Sequence, residues 1–552
     1  MTTPLPKVVV AVIDDAIPFA HHRFRFPNGT TRFDSIWQQD GFGPSPGLFN
    51  YGSLLTRAAL DTLFTRARNE GLSESEIYAL SGVEDYTIAT HKPLGRRTAH
   101  GAHVADLACG FEPASAPPAE VLVGVQLDQA AVQTIVPARL SVHIVNALAF
   151  VVRRTQKIEA ATGTRLPIVV NLSFGWYSGP HDGSSLLELA IDSLVRFRRN
   201  VAPMCVILPA GNSRLERCHA RSRLNPQGQS GASETLHWRL LPDDRTSSRM
   251  ELWLGTAADS VNLTVADPGG TILGTFAQGH FGPLSLNGRT IGWVDYRTLV
   301  GGNGKRGIRI HLARTAPLQA MNASGALAPA GIWTLGVTNA TSAAVDFDAW
   351  IDRDGGLLGW PIVGRQSHFD DARYERFDAN GRVITVDPIP PRSYVLRSGT
   401  LNGAATGASA TVVGGIRASD LASSKYSSLG PVFETSRGGT RTAPTPDIAA
   451  RCDDSTVLHG VLAAGSRSGS VVALDGTSVA APQITRWIAN AFLQNGNPAC
   501  RSAVQLLAAQ QELQAQQNPP PGRAPRPPVD FAGSGRVDVG FASLSWGRSV
   551  SR

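Results

Sequence analysis

Over the first 230 or so residues, short uninterrupted apolar runs alternate with longer stretches in which apolar residues recur every three or four positions. The runs "VVVAVI" (8–13), "VLVGVQL" (121–127), "PIVVNLS" (167–173) and "MCVILPA" (204–210) have strand length and are rich in Val and Ile. They predict strands buried on both faces. Between them, "HIVNALAFVVRRTQKIEAAT" (143–162) and "SSLLELAIDSLVRFRRN" (184–200) predict amphipathic helices. Such alternation predicts an α/β fold, a doubly wound parallel sheet with helices on both faces. Chemistry in such a sheet gathers at the carboxyl ends of the strands.

The texture changes between 232 and 358, where segments such as "MELWLGTAADSVNLTVADPGGTILGTF" alternate apolar with polar residues between Gly, Asn and Asp turns. This is an all-β pattern of the sandwich or jelly-roll kind. The α/β texture resumes with "ASATVVGGI" (408–416) and "TPDIAA" (445–450). Three segments follow: 1–231 and 359–552 build one α/β domain, and 232–358 is a β domain inserted in it. The helical periodicity of 55–80 predicts a surface insertion, and the proline-rich 518–530 predicts a stiff loop before the strand-like "GRVDVGF".

Composition narrows the partners. No stretch approaches the roughly 18 uninterrupted apolar residues of a membrane helix, and the start "MTTPLPKVVVAVIDD" lacks a charged segment followed by an apolar one. A cytoplasmic protein with no membrane partner is expected. The net charge of +7 comes mainly from scattered arginines, which reads as a solvated surface and not as a nucleic-acid footprint. The five cysteines are odd in number and lack metal-type spacing, so reduced, buried thiols are expected in preference to a disulfide or a zinc site.

Candidate chemistry centres on "ALDGTSVAAPQIT" (473–485), where Ser478 follows a glycine and a threonine at the start of a predicted helix. A serine hydroxyl becomes nucleophilic only beside a base, and an imidazole base needs a carboxylate to hold its tautomer. Asp14 stands at the end of the first predicted strand, and His100 opens the helical "HGAHVADLACG" (100–110), whose second residue is a glycine that leaves room for close backbone packing. His103 lies one turn further on; taken alone, each histidine reads equally as a packed core residue. Asn212, in "LPAGNS" (208–213), carries an amide that can stabilise an oxyanion, although an Asn after Ala-Gly is by itself a turn residue.

The chain order Asp, His, Ser, together with these motifs, resembles the subtilisin-like serine peptidases, or subtilases. The resemblance lies in "VAVID" (10–14), "HGAHVA" (100–105), "NLSFG" (171–175), "AGN" (210–212) and "GTSVAAP" (476–482), with secondary matches in "YSSLGP" (426–431) and "PDIAA" (446–450). "FRFPNGTTRFDSIWQQD" (24–40), "GPHDGSSLLE" (179–188) and the inserted β domain resemble the bacterial Csp-type branch of that family. The resemblance implies a serine endopeptidase acting on peptide or protein through an acyl-enzyme. Ser478 would be the nucleophile, His100 the base and Asp14 its orienting acid. The Asn212 amide and the Ser478 backbone N–H would hold the oxyanion. Ser173, Phe174 and Gly175 would form an edge for the substrate main chain, Gly175 permitting its close approach. No cofactor is evident; many members of the family bind calcium, but no metal site can be named. Two alternatives stay open: a catalytically silent peptide-binding or regulatory pseudoprotease, and an esterase using the same triad.

Several positions depart from the family pattern. Asp15 and Ala16 stand where threonine and glycine usually follow the acidic residue, Ala102 replaces a threonine, and Asp106 replaces a glycine. Asp15 is a second carboxylate able to compete for His100, and the reading adopted is that Asp14 bears the role while Asp15 points away. Only "MTTPLP" precedes the first strand, where secreted members carry a propeptide, so an intracellular enzyme that folds unaided is expected. "DRDGG" (352–356) reads as a β-turn instead of a calcium loop, since the later acidic ligands are missing. Phe174 and Trp176 fit a specificity pocket and a core equally well.

Overall fold

The computed structural model describes residues 5–537 apart from 88–92, 97, 113–118, 135–136, 257–258, 298–304, 319–324, 355–362, 431–445, 495, 497–499, 518–523, 525–531 and 533. Each apolar run of the first segment is a strand: β1 (Val8–Asp14), β4 (Glu120–Gln126), β5 (Ile168–Leu172) and β6 (Met204–Pro209). Two further strands, β2 (Phe33–Gln38) and β3 (Ser53–Thr56), extend one edge. With Thr411–Arg417 and Ile448–Asp453 they form one eight-stranded sheet, in the order Ile448–Asp453, Thr411–Arg417, β6, β5, β1, β4, β2, β3. All neighbours run parallel except β2 and β3.

β1 sits at the centre and shows why the run has no polar alternation. Val8, Val10 and Val12 enter the hydrophobic cluster on one face, and Val9, Ala11 and Ile13 enter the cluster on the other. Each such side chain, fully buried, contributes at most roughly 1.5–3 kcal/mol. One face is covered by α3 (His100–Cys109), α7 (Thr477–Leu493) and α8 (Cys500–Gln517); the other is covered by α5 (Pro137–Thr162) and α6 (Leu186–Arg198). The sheet is doubly wound, as the alternation of the sequence predicts. The 55–80 segment is α1 (Arg57–Glu70) and α2 (Glu74–Leu80), which bury Leu60, Phe64, Ile77 and Tyr78 in the cluster on the α3 and α7 face, with the Phe64 and Tyr78 rings against Phe19.

The inserted domain is a sandwich of a five-stranded and a seven-stranded antiparallel sheet. Its strands begin at His219–Leu224 and end at Val395–Leu396, so they extend on both sides of the expected 232–358. The outlying strands escape periodicity because His219–Leu224 carries the polar sequence "HARSRL" and the last ones are two residues long. The sandwich is fastened to the α/β domain by Trp350, whose indole lies between the rings of His181 and His219, with centroids at 4.1 and 4.9 Å.

The cysteine reading is corrected in part. Cys205 on β6 and Cys500 at the start of α8 form a disulfide across 295 residues. Counting spacings cannot reveal such a pair, because the packing of α8 against the sheet brings the two together. Cys109, Cys218 and Cys452 are buried free thiols. Among the described residues no helix is long and apolar enough to cross a membrane. Most of the proline-rich 518–530 and of 535–541 lies outside the described residues.

Candidate active site

Asp14 is the last residue of β1 and is fully buried, at the carboxyl end of the sheet. His100 is the first residue of α3, and its Nδ1 lies 2.8 Å from Asp14 Oδ1. The glycine after it is required by contact: a Cβ on Gly101 would lie 2.3 Å from the Ala16 carbonyl oxygen. Burial pushes the His100 imidazole down, but the charge and hydrogen bond of Asp14, with the nearby Asp15, outweigh it and hold the group above its ordinary value.

Asp15 does not point away. Its Oδ1 accepts the Gly101 N–H at 2.9 Å, and its own N–H donates to Asp14 Oδ1 at 2.8 Å. The helix start leaves N–H groups unsatisfied, and no side chain from the residue before α3 caps them, so the carboxyl turns to the helix. His103 is a packed core residue: its Nε2 meets the Val461 carbonyl at 2.8 Å, and burial pushes it down to about 4. Asp106, on α3, forms a buried ion pair with Arg23 and accepts the Ala464 N–H at 2.9 Å.

The second half of the site is built around the first turn of α7. Gly476, at φ +116°, precedes it in a conformation that favours glycine. Thr477 is pinned twice to Asn212, whose Oδ1 accepts the Thr477 N–H at 2.9 Å and its hydroxyl at 3.0 Å. This fixes the amide orientation and turns Nδ2 outward. A Cβ placed on Gly476 would lie 3.0 Å from Asn212 Nδ2 and 3.4 Å from Ser478 Oγ, so amide donor and hydroxyl front the same space. Pro482 has no N–H to offer the Ser478 carbonyl one turn earlier, and that carbonyl accepts the Ser173 hydroxyl at 3.1 Å instead.

Ser173 and Phe174 connect the two halves. Ser173 Oγ holds α7, while the Phe174 ring meets the His100 ring edge-on at 5.8 Å. Thus Asp14, His100, Ser173, Phe174, Asn212 and Ser478 gather at one end of the sheet. Among the described residues, the His100 ring hydrogen-bonds to Asp14 and not to the Ser478 hydroxyl. Gly175 has another reason for its missing side chain: a Cβ there would lie 2.1 Å from the Asn402 amide, which donates to the Phe174 carbonyl at 3.0 Å. Phe174 and Trp176 are both buried in the core cluster on the sheet face covered by α5 and α6.

Two supporting residues were missed by sequence reasoning. Asn402 lies in an unpatterned loop beneath Gly175 and left no signal. Tyr426 lies within "YSSLGP"; its hydroxyl accepts the Gly476 N–H at 2.8 Å and donates to Cys452 Sγ at 3.1 Å. For calcium, two groups among the described residues bring three ligand atoms within 4.8 Å of one another: Asp14, Asp15 and His100 of the site itself, and Asp453, His459 and Asp475. Two carboxylates and an imidazole do not fit that ion, which takes roughly six to eight oxygens. Asp453 is moreover engaged by Ser424 Oγ at 2.5 Å and the Gly460 N–H at 3.3 Å. In "DRDGG", Asp352 Oδ1 accepts the N–H groups of Arg353 and Tyr177.

No family model matches the chain, and no curated protein matches it in sequence. Among solved structures, the CspB protease of Clostridium perfringens is similar with a TM-score of 0.62 at 16% identity, over 97% of this chain and 92% of that one. The PatG macrocyclase in complex with peptide aligns at a TM-score of 0.36 and 10% identity, covering 98% of this chain and 91% of that one. A cold-adapted subtilisin-like serine proteinase aligns at 0.31 and 12%, covering 92% and 83%. The last two scores are too low to add to the argument. The likeness to CspB over both chains, with the central parallel sheet and the helices on its two faces, shows that this protein has the subtilisin-like fold.

Proposed function

We propose that the protein is a serine endopeptidase that cleaves peptide bonds through an acyl-enzyme formed on Ser478. The observation that carries this reading is the joint placement of the Asp14–His100 hydrogen bond and of the Asn212 amide beside the Ser478 hydroxyl, at one end of the sheet. The protease named in the CspB structure agrees with it. His100 Nε2 takes the Ser478 proton as the hydroxyl attacks the scissile carbonyl, while the Nδ1–H stays on Asp14 and fixes the tautomer. The oxyanion then accepts N–H groups from Asn212 Nδ2 and the Ser478 backbone, at the amino end of α7 where the helix dipole favours negative charge. His100 returns the proton to the leaving amine, and water releases the acyl group by the same route in reverse. The main chain of the substrate lies along Ser173–Gly175.

A fluorophosphonate probe tests the reading. It is expected to label the wild-type chain on Ser478 and to leave Ser478→Ala unlabelled. Absence of labelling on the folded wild type across pH 5–9 would exclude a serine nucleophile and leave the silent peptide-binding reading. Labelling accompanied by turnover of short acyl esters but not of peptides would favour the esterase.

A further inference from the structure

Asp14 uses one oxygen twice and the other not at all. Oδ1 faces the His100 ring and accepts the Asp15 N–H. Oδ2 is buried, and no donor from a described residue is aligned on it. An ionised oxygen left bare in a dry site is costly. Its neighbour is the Asp15 carboxyl, itself 2% exposed, and single atoms of Asp14, Asp15 and His100 lie within 4.8 Å of one another. Two ionised carboxylates this close and this buried repel each other, and one proton between them removes a charge and supplies the missing donor.

We propose that Asp15 is a positioning residue that holds a proton and donates it to Asp14 Oδ2, so that the pair presents a single negative charge to His100. The charged and titratable groups around it agree. Asp14 lies on the same strand, His100 faces it from α3, and Arg96 acts on Asp15 from the loop before α3. Arg353, at the end of the sandwich, acts on His100. From α4 (Gln129–Thr134), Gln129 contributes a neutral amide that donates to the Asp15 carbonyl at 2.7 Å. Burial first, and the Asp14 charge second, push Asp15 up to about 7. A threonine in its place would supply a hydroxyl donor at every pH, whereas Asp15 supplies one only while protonated. As Asp15 ionises, a second charge holds the His100 proton more tightly.

The kinetic arm of the test rests on the peptidase reading, and the spectroscopic arm does not. The His100 ring is titrated by NMR on the full chain with labelled histidine, in wild type, Asp15→Asn, Asp15→Thr and Asp15→Ala. Fluorophosphonate labelling rates are measured over the same pH range. Asp15→Asn and Asp15→Thr keep a donor for Asp14 and add no charge, so the His100 midpoint is expected to fall by about one pH unit in both. Their labelling profiles shift with it, and their plateau rates stay within about threefold of wild type. Asp15→Ala removes the donor and is expected to label about tenfold more slowly. A carbon-13 titration of the wild-type carboxyls that finds Asp15 already ionised at pH 5 would overturn the proposal and leave Asp15 as an ionised cap for Gly101. Loss in Asp15→Asn as deep as in Asp15→Ala would also overturn it, since the site would then need an ionised Asp15. If nothing labels in any variant, the peptidase reading fails while the NMR titration still decides the shared proton.

Discussion

In the proposed mechanism Asn212 joins two jobs in one amide, and its two ends can be separated by substitution. Oδ1 fastens Thr477 through two hydrogen bonds, and Nδ2 faces the space beside the Ser478 hydroxyl. Asn212→Ala removes both ends. Loss of the donor is expected to lower kcat by roughly 10²–10³, equivalent to about 3–4 kcal/mol of transition-state stabilisation. Loss of the acceptor leaves the buried Thr477 N–H and its hydroxyl proton without Asn212 Oδ1, while the hydroxyl oxygen still accepts the Gly211 N–H at 3.0 Å, and costs about 1–3 kcal/mol of stability. Asn212→Asp keeps the acceptor oxygen but replaces both N–H donors with a charge of the wrong sign, so kcat falls at least as far while the anchor on α7 persists. The assay is turnover of a chromogenic peptide, normalised to the sites titrated by a fluorophosphonate, alongside thermal unfolding of each variant. Both variants are expected to lose kcat with little change in KM, and Asn212→Ala to melt earlier than Asn212→Asp. An Asn212→Asp enzyme within tenfold of wild-type kcat would refute the assignment of Nδ2 to the oxyanion.

Other consequences can be checked independently. Asp106→Ala removes the buried partner of Arg23, which is 2% exposed and keeps the exposed Glu112 at 3.0 Å, and is expected to cost up to about 3–5 kcal/mol in denaturant unfolding; a cost below about 1 kcal/mol would contradict the buried ion pair. Cys500→Ser opens a 295-residue loop and is expected to lower stability by roughly 2–5 kcal/mol, with dithiothreitol lowering the melting temperature of wild type in the same sense; melting that ignores the reductant would count against the bridge. Gly175→Ala forces the Asn402 amide away from the Phe174 carbonyl and is expected to cost about 1–3 kcal/mol, a cost reduced in Gly175→Ala/Asn402→Ala; additive losses would show that the two residues do not compete for one space. Asp15 has a folded value near 7 against 3.8 when free, so the folded state binds the extra proton and its contribution is lost as pH rises between about 4 and 7. Asp15→Asn should flatten the stability profile in that window, where an unchanged slope would deny the burial of this carboxyl.

Much of the molecule was legible in the order of its residues. Runs such as "VVVAVI" and "PIVVNLS" carry no polar position because both faces of those strands are covered, and that is enough to foresee a parallel sheet wrapped by helices. Asp14, His100, Asn212 and Ser478 stand out in the sequence because a serine needs a base, an orienting acid and an oxyanion donor, and because strand ends are where side chains leave the sheet. Other features depend on contacts between distant segments, which no local pattern records. The Cys205–Cys500 bridge, Asn402 beneath Gly175 and Tyr426 behind Gly476 each join residues of unrelated local context. The turn of Asp15 toward α3 depends on where a helix start happens to present its free N–H groups. Local sequence thus determined which elements form and which residues hold the needed chemistry, since periodicity and functional groups are properties of short stretches. Tertiary packing alone decided which of those groups face one another, because proximity across hundreds of residues is set by how the buried surfaces fit.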